Sequence, residues 1–304
     1  MVRAIYIIVV AVLCICCERV DLKGLVAPTG DVVDKRFEKS MSQSGGKAVA
    51  SIGAEESYKF YVCADPHIDG SNDNLREFAT RLRNNATASF GVVLGDCDNL
   101  PNTLPTYIEA IEYVEGVQAN HWPIFSLPGN HDIYHNGWEE YSALLGPSVY
   151  WFEVQRSTWR DLFIVLDSAS GTLGKKQLTW LREFLATGRD NYRHCIVMTH
   201  TNLFYTDNSQ QGSGNFTLEE TALITELFSR YRITLCLQGH DHYREDLMLA
   251  GVRYTIVGTI QDNAERQSIS SSESQPPPSN TSGSISSSIN RALKYKFYSC
   301  REAH

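Results

Sequence analysis

Five apolar runs in this chain, KFYVCADPH (59–67), FGVVLGD (90–96), PIFSLPGNHD (123–132), CIVMTH (195–200) and ITLCLQGHDH (233–242), each end abruptly in Asp, Asn or His. Short apolar stretches closed by turn formers read as buried strands. Where such strands alternate with helical patterns, they assemble into α/β sheets that carry their sites beyond the strand ends. Few other folds accommodate this punctuation.

The intervening segments supply the helices. Asn72 opens one that runs to about residue 88, and further helices are expected over Thr103–Ala119, Gly137–Leu145, Leu173–Ala186 and Thr217–Arg230. In the fourth, Leu178, Leu181 and Leu185 share one face; in the last, Glu219 and Glu220 occupy the favourable first turn. WFEV and DLFIVLD read as strands, and EDLMLA with VRYTIVGTI as a hairpin around Gly251. With 304 residues, 42% of them hydrophobic, the chain can bury a substantial core.

The flanks differ from this central pattern. Arg3 precedes an apolar stretch, Ile5–Cys17, that is too short to cross a bilayer, so residues 1–17 read as an export signal. Cys17 followed by Glu18 and Arg19 is similar to the end of a bacterial lipoprotein signal, which would make Cys17 a lipid anchor; an ordinary cleaved signal is the alternative. The expected location is outside the cytoplasm: periplasmic or outer-membrane-anchored in a bacterium, otherwise secreted. Residues 18–57 are polar and read as a tether. Residues 58–262 form the domain, and 263–304 form a tail expected to be disordered, since eleven of the 23 residues from 268 to 290 are Ser.

Charge narrows the partners. A net charge of −8, from 27 basic and 35 acidic residues, argues against an extended nucleic-acid surface. A small phosphorylated ligand remains compatible, because bound cations can outweigh net charge locally. The cysteines show no C-x-x-C spacing, and Cys63, Cys195 and Cys236 fall within apolar runs, as buried small hydrophobes do.

The polar words carry the chemistry. Asp65 and His67 stand two apart, a spacing that on an extended strand puts both on one side of the chain. Gly95 permits a tight turn that presents Asp96, whose carboxylate can bridge two cations. In Gly129-Asn130-His131-Asp132, Asn130 offers a neutral oxygen, His131 an imidazole, and Asp132 a carboxylate to orient that imidazole. His200 comes next, then the pair His240 and His242. Five of the nine histidines fall in these words. Asn99, Asn202, Tyr205, Tyr134 and His135 lie close enough behind them to line a pocket.

The ordered series D-x-H, G-D, G-N-H-D, H and G-H-x-H resembles that of the calcineurin-like metallophosphoesterase superfamily, over about residues 58–262. SGTLGKKQLTWLREFL (170–185) is also similar to a segment of its secreted phosphatases and cyclic-nucleotide phosphodiesterases. The resemblance implies an α/β fold, a four-layer αββα sandwich of two mixed β-sheets flanked by helices. It implies two metal ions, Mn, Fe or Zn, one held by Asp65, His67, Asp96 and His242, the other by Asp96, Asn130, His200 and His240. A hydroxide activated by both metals would attack phosphorus, with His131 protonating the leaving group and Asp132 as its partner. Purple acid phosphatases carry a metal-binding Tyr where this chain has Asn99, so that subclass is not expected. The alternative is a non-catalytic interaction scaffold on the same fold, in which ligand positions would be eroded.

Overall fold

The computed structural model describes residues 29–54, 57–68, 72–98, 103–113, 120–134, 137–204, 216–262 and 293–297. The export signal with Cys17, the pocket candidates Asn99, His135 and Tyr205, and the Ser/Pro stretch lie outside these residues.

Helix α1 (Thr29–Ser44) and strand β1 (Ser51–Gly53) precede β2 (Tyr58–Cys63), α2 (Asp73–Arg83), β3 (Ala88–Val93), α3 (Leu104–Glu112) and β4 (Ile124–Ser126). A single helical turn α4 (Asn130–Ile133) leads to α5 (Gly137–Leu144), β5 (Tyr150–Arg156), β6 (Trp159–Val165) and α6 (Gly174–Gly188). Then come β7 (His194–Met198), α7 (Leu218–Arg230), β8 (Leu235–Gln238), β9 (Glu245–Leu249), β10 (Val252–Ile256) and β11 (Leu293–Phe297). One sheet has the order β1-β5-β6-β7-β8-β10-β9 and the other β11-β2-β3-β4. The second is parallel throughout, as are β6, β7, β8 and β10 in the first, while β9 and β10 form the expected hairpin.

Alternation along the strands builds the layers. Phe60, Val62, Phe90 and Val92 face inward against Phe152, Phe163, Ile196 and Leu235 of the larger sheet. Their neighbours Tyr61, Cys63 and Val93 face outward onto Leu75, Phe78, Leu82 and Tyr107 of α2 and α3. On the opposite side, Leu162, Ile164 and Val197 meet Leu181 and Leu185 of α6 and Leu227 and Phe228 of α7. The result is the expected mixed α/β sandwich, helices outside and two sheets within. Aromatic rings fill its centre: Phe90 stacks on Phe60 at 5.0 Å and meets Phe163 and Phe152 edge-on at 5.1 and 5.2 Å. At the N-terminal end of these strands the buried Asp161 ties the sheets together, accepting from the Tyr58 hydroxyl (2.9 Å) and from Arg193 Nε (3.0 Å) and Nη2 (2.6 Å).

Three segments depart from expectation. The supposed tether contains α1, and Arg36 within it is buried with Nε 2.7 Å from Asp167 Oδ2; β1 then adds to the larger sheet beside β5. Helix α2 ends at Arg83 rather than near 88, and Asn72 gives it no side-chain cap. Instead, Asp262 accepts from the amides of Asp73 (2.6 Å) and Asn74 (2.9 Å). The tail returns to the fold, where β11 lies parallel to β2 with Leu293 opposite Tyr58.

Because Phe90 touches aromatic rings from both sheets, Phe90→Ala leaves a cavity between them. The expected loss is about 3–5 kcal/mol of unfolding free energy, read from urea denaturation with the slope unchanged.

Candidate metal centre

Every residue read as a metal ligand stands beyond the C-terminal end of a strand. Asp65 and His67 come after β2, Asp96 after β3, and Asn130 after β4, all in the smaller sheet; His200 comes after β7, and His240 and His242 after β8 in the larger. The two sheets therefore deliver their polar ends to one mouth of the sandwich.

The backbone turns sharply to do so. Asp65, His67, Asp96, His240 and His242 have φ of 52°, 45°, 51°, 74° and 61°, in the left-handed region that non-glycine residues rarely occupy. Asp65 and His67 thus converge through left-handed turns, not through the period of an extended strand. Strain of about 1–3 kcal/mol per residue persists only where surrounding structure enforces it. Here the loops are bonded to one another: Asp65 N–H donates to Gly95 O (3.1 Å), His67 N–H to Asp96 O (3.0 Å), and Gly239 N–H to His200 O (2.9 Å). The motif glycines leave the necessary space. A Cβ on Gly129 would lie 2.1 Å from Asp96 Oδ1, and one on Gly95, itself at φ 84°, would lie 2.6 Å from His200 Nδ1.

The donors fall into two groups that share one oxygen. Asp96 Oδ2 is 3.4 Å from both His67 Nε2 and His200 Nε2. Around His67, His242 Nε2 is at 3.1 Å, and that atom is 3.8 Å from Asp65 Oδ1. Around His200, Asn130 Oδ1 is at 3.0 Å and His240 Nδ1 at 3.1 Å. Ligands bound to one ion at about 2.0–2.2 Å stand about 3.0–3.5 Å apart when they subtend angles near 90–110°. Most of these separations are of that size, so the nitrogen and oxygen donor set fits two cations. Asp65, His67 and His242 form one candidate cluster, Asp96, His200 and His240 another, and His67, Asp96 and His131 a third that overlaps both.

The remaining contacts orient the donors. His200 Nδ1 donates to Leu94 O (2.8 Å), which leaves Nε2 facing the cluster. The amide of Asn130 donates from Nδ2 to the Tyr134 hydroxyl (3.1 Å), which directs Oδ1 towards His200. Asp65 accepts the His240 amide on both oxygens (3.0 Å each), and Asp96 Oδ1 accepts the His131 amide (2.9 Å).

Electrostatics divides the histidines. Burial lowers His67 and His240 to about 3 and also lowers His242, so these rings are held neutral. His200 goes the other way: burial opposes its charge, but the adjacent Asp96 carboxylate, with Asp65, pushes it up to about 10. Asp65 is itself pushed above the usual carboxylate range by burial, while Asp96, although buried, is held below it chiefly by His200.

His131 lies at the edge of the cluster, its Nε2 4.0 Å from Asp96 Oδ2 and its ring 4.6 Å from that of His67. Asp132 does not serve it. The Asp132 carboxylate accepts from the amides of Gly129 (2.7 Å) and Asp98 (3.1 Å) and so joins the loop after β3 to the turn after β4. The reason is local: Asn130–Ile133 is a helical turn, in which adjacent side chains diverge by about 100°. Sequence reasoning also missed Asp98, buried beside Asp132 and pushed up to about 7 by that burial. Ser168 was missed as well: its Oγ accepts the amides of His200 (2.9 Å) and Thr201 (3.0 Å). Of the pocket candidates, Asn202 is fully buried, and among the described residues neither of its amide atoms has a hydrogen-bond partner.

Known proteins share the fold. A structure described as GAP50, the anchor in the inner membrane complex of Plasmodium, is similar at a TM-score of 0.53 and 14% identity, over 66% of this chain and 70% of that one. A dimetal phosphatase from Danio rerio gives 0.44 and 14%, over 66% and 87%. A purple acid phosphatase from yellow lupin gives 0.48 and 16%, over 66% and 43%. No curated protein sequence matches. The family model for calcineurin-like phosphoesterases matches residues 58–244. Since that match begins with β2 and closes just past His242, taking in every strand that carries a donor, the chain belongs to the calcineurin-like phosphoesterase family.

Proposed function

We propose that this chain hydrolyses phosphoesters with a pair of metal ions, Mn, Fe or Zn, as its cofactor. The observation that carries this reading is the sharing of Asp96 Oδ2 between two donor groups, each spaced as ligands of one ion are. Asp65, His67, Asp96 and His242 would hold the first ion, and Asp96, Asn130, His200 and His240 the second. Bound there, the ions supply Lewis-acid charge for the phosphoryl oxygens and lower the pKa of the attacking water.

The protein's own groups supply the rest. Burial keeps the His67 and His240 rings unprotonated and available as donors. His131 is partly exposed at the rim with Nε2 4.0 Å from Asp96 Oδ2, which supports a role at the leaving oxygen of a phosphoryl group held by the cluster. A proton delivered from that ring would spare the departing alkoxide its charge. The scaffold alternative draws support from the anchor role of the Plasmodium structure, a likeness of fold alone. Against it, the ligand positions here are intact and converge.

Asp96→Ala removes the shared oxygen. Bound metal, measured on the purified protein, should fall from two equivalents to one or fewer, and p-nitrophenyl phosphate or bis-p-nitrophenyl phosphate hydrolysis by about 100-fold or more. Full activity in the variant would sink the two-metal reading.

His131→Ala should separate substrates by leaving group, with a loss of about 10²–10⁴ for an alkyl ester and a much smaller one for a nitrophenyl ester. Equal losses on both would remove His131 from the acid role.

Metal uptake should also release a proton. Without metal, His200 stays protonated up to about pH 10, whereas a ligand must be neutral. Between pH 7 and that value an added ion must displace this proton, so affinity rises by roughly tenfold per pH unit. Calorimetry in buffers of different ionisation enthalpy measures the release directly.

A further inference from the structure

We infer that Arg36, on a helix outside the family-matched region, is a positioning residue for the second metal site; the inference rests on the two-metal reading above. Arg36 is 2% exposed and Asp167 fully buried, and they meet side by side: Nε to Oδ2 at 2.7 Å and Nη2 to Oδ1 at 2.9 Å. Nη2 also donates to Ser170 Oγ (3.1 Å). A forked guanidinium fixes the carboxylate in both position and rotation.

Asp167 passes that constraint to its neighbour in the chain. Its amide donates to Gln177 Oε1 (2.9 Å) and its carbonyl accepts from Gln177 Nε2 (2.8 Å), so side chain and backbone are both held. The adjoining residue is Ser168, whose Oγ accepts the His200 amide and whose carbonyl accepts the Thr201 hydroxyl (2.6 Å). From α1 to the His200 backbone there is thus a continuous buried path: the Arg36–Asp167 fork, the peptide bond from Asp167 to Ser168, and the bond from the His200 amide to Ser168 Oγ.

The same helix grips the other side of the site. Lys39 pairs with Glu139 (3.0 Å) and Gln43 donates to Ser142 Oγ (3.1 Å), both partners lying on α5, the helix just after the Asn130–Ile133 turn. Ser40 meets Ser148 at 3.1 Å. Residues 32–44 therefore bridge the segments behind His200 and behind Asn130, two donors of one ion carried by different sheets. Loss of Arg36 would leave Asp167 buried without its counter-charge and release the Asp167–Ser170 turn, and the second ion should feel it before the first does.

The test uses the full chain, stripped of metal and titrated with Mn²⁺ by calorimetry at a temperature where circular dichroism shows every variant folded. Arg36→Gln should bind one ion as the wild type does and the other about tenfold or more weakly, as when outer partners of a ligand are lost. Arg36→Lys keeps the charge but cannot fork Asp167 while reaching Ser170; it should show the same split and serves if Arg36→Gln does not fold. Tyr58→Phe, which breaks the Asp161 contact at the opposite end of the sandwich, should lower Tm yet bind both ions normally. Folded Arg36 variants with two wild-type affinities would overturn the inference, as would an equal weakening in Tyr58→Phe. A wild-type protein that takes up fewer than two ions would instead overturn the two-metal reading, and this inference with it.

Discussion

Two carboxylates, Asp65 and Asp96, are buried where the sheets meet, and among the described residues their ion-pair partners are histidines rather than Lys or Arg. Burying an ionised carboxylate is costly unless charge and hydrogen bonds offset it. In the protein alone that offset comes from backbone amides of His131 and His240 and from a His200 ring held protonated by its neighbours. For Asp96 that offset holds the carboxylate below its usual range, whereas for Asp65 it falls short and burial pushes the group above it. A dication in the second group would replace a single proton, which raises the local positive charge even though the chain as a whole carries −8.

That cluster survives only because its backbone cannot relax. Left-handed residues at five of the converging positions would return to ordinary conformations if the loops were free. They are not free: the loops bond to each other above, while below them the interlocked phenylalanines keep the two sheets in register. Ser168 and Asp132 perform comparable tasks on opposite sides, each using one side chain to accept two amides: Ser168 those of His200 and Thr201, Asp132 those of nearby Gly129 and of Asp98, 34 residues away. The rigidity of the donors is thus a property of the loops and of the core together.

Much of this was legible in the sequence. Alternating apolar runs identified the strands that carry the donors, because inward and outward residues repeat every second position and the runs stop where the chain leaves the sheet. The residues that converge at the mouth were legible because their motifs come in a fixed order. Helix α1 was not, for a physical reason: the buried positions Val33, Arg36, Phe37 and Ser40 have helical spacing, yet only two of them are apolar. A stripe built half from polar groups leaves no hydrophobic period to read. The Asp262 cap on α2 was hidden differently, since its partners are 188 and 189 residues away and local sequence offers Asn72 instead. Asp132 misled because adjacency in sequence suggested a pair that a helical turn pulls apart.

These failures share a cause that bears on where function is controlled. Motifs reveal groups that meet a ligand, since chemistry restricts them to a few residue types at short spacing. The groups that hold those donors, Ser168, Tyr134, Asp132 and Arg36, are common residue types, all but Tyr134 joined to residues far along the chain, and only burial and geometry distinguish them. Arg36 is the most remote of the four, yet its buried fork with Asp167 places it one residue from the side chain that binds the His200 amide. An N-terminal segment that reads as a tether in the sequence is therefore packed into the domain through α1 and β1, ahead of the family-matched region that begins at residue 58.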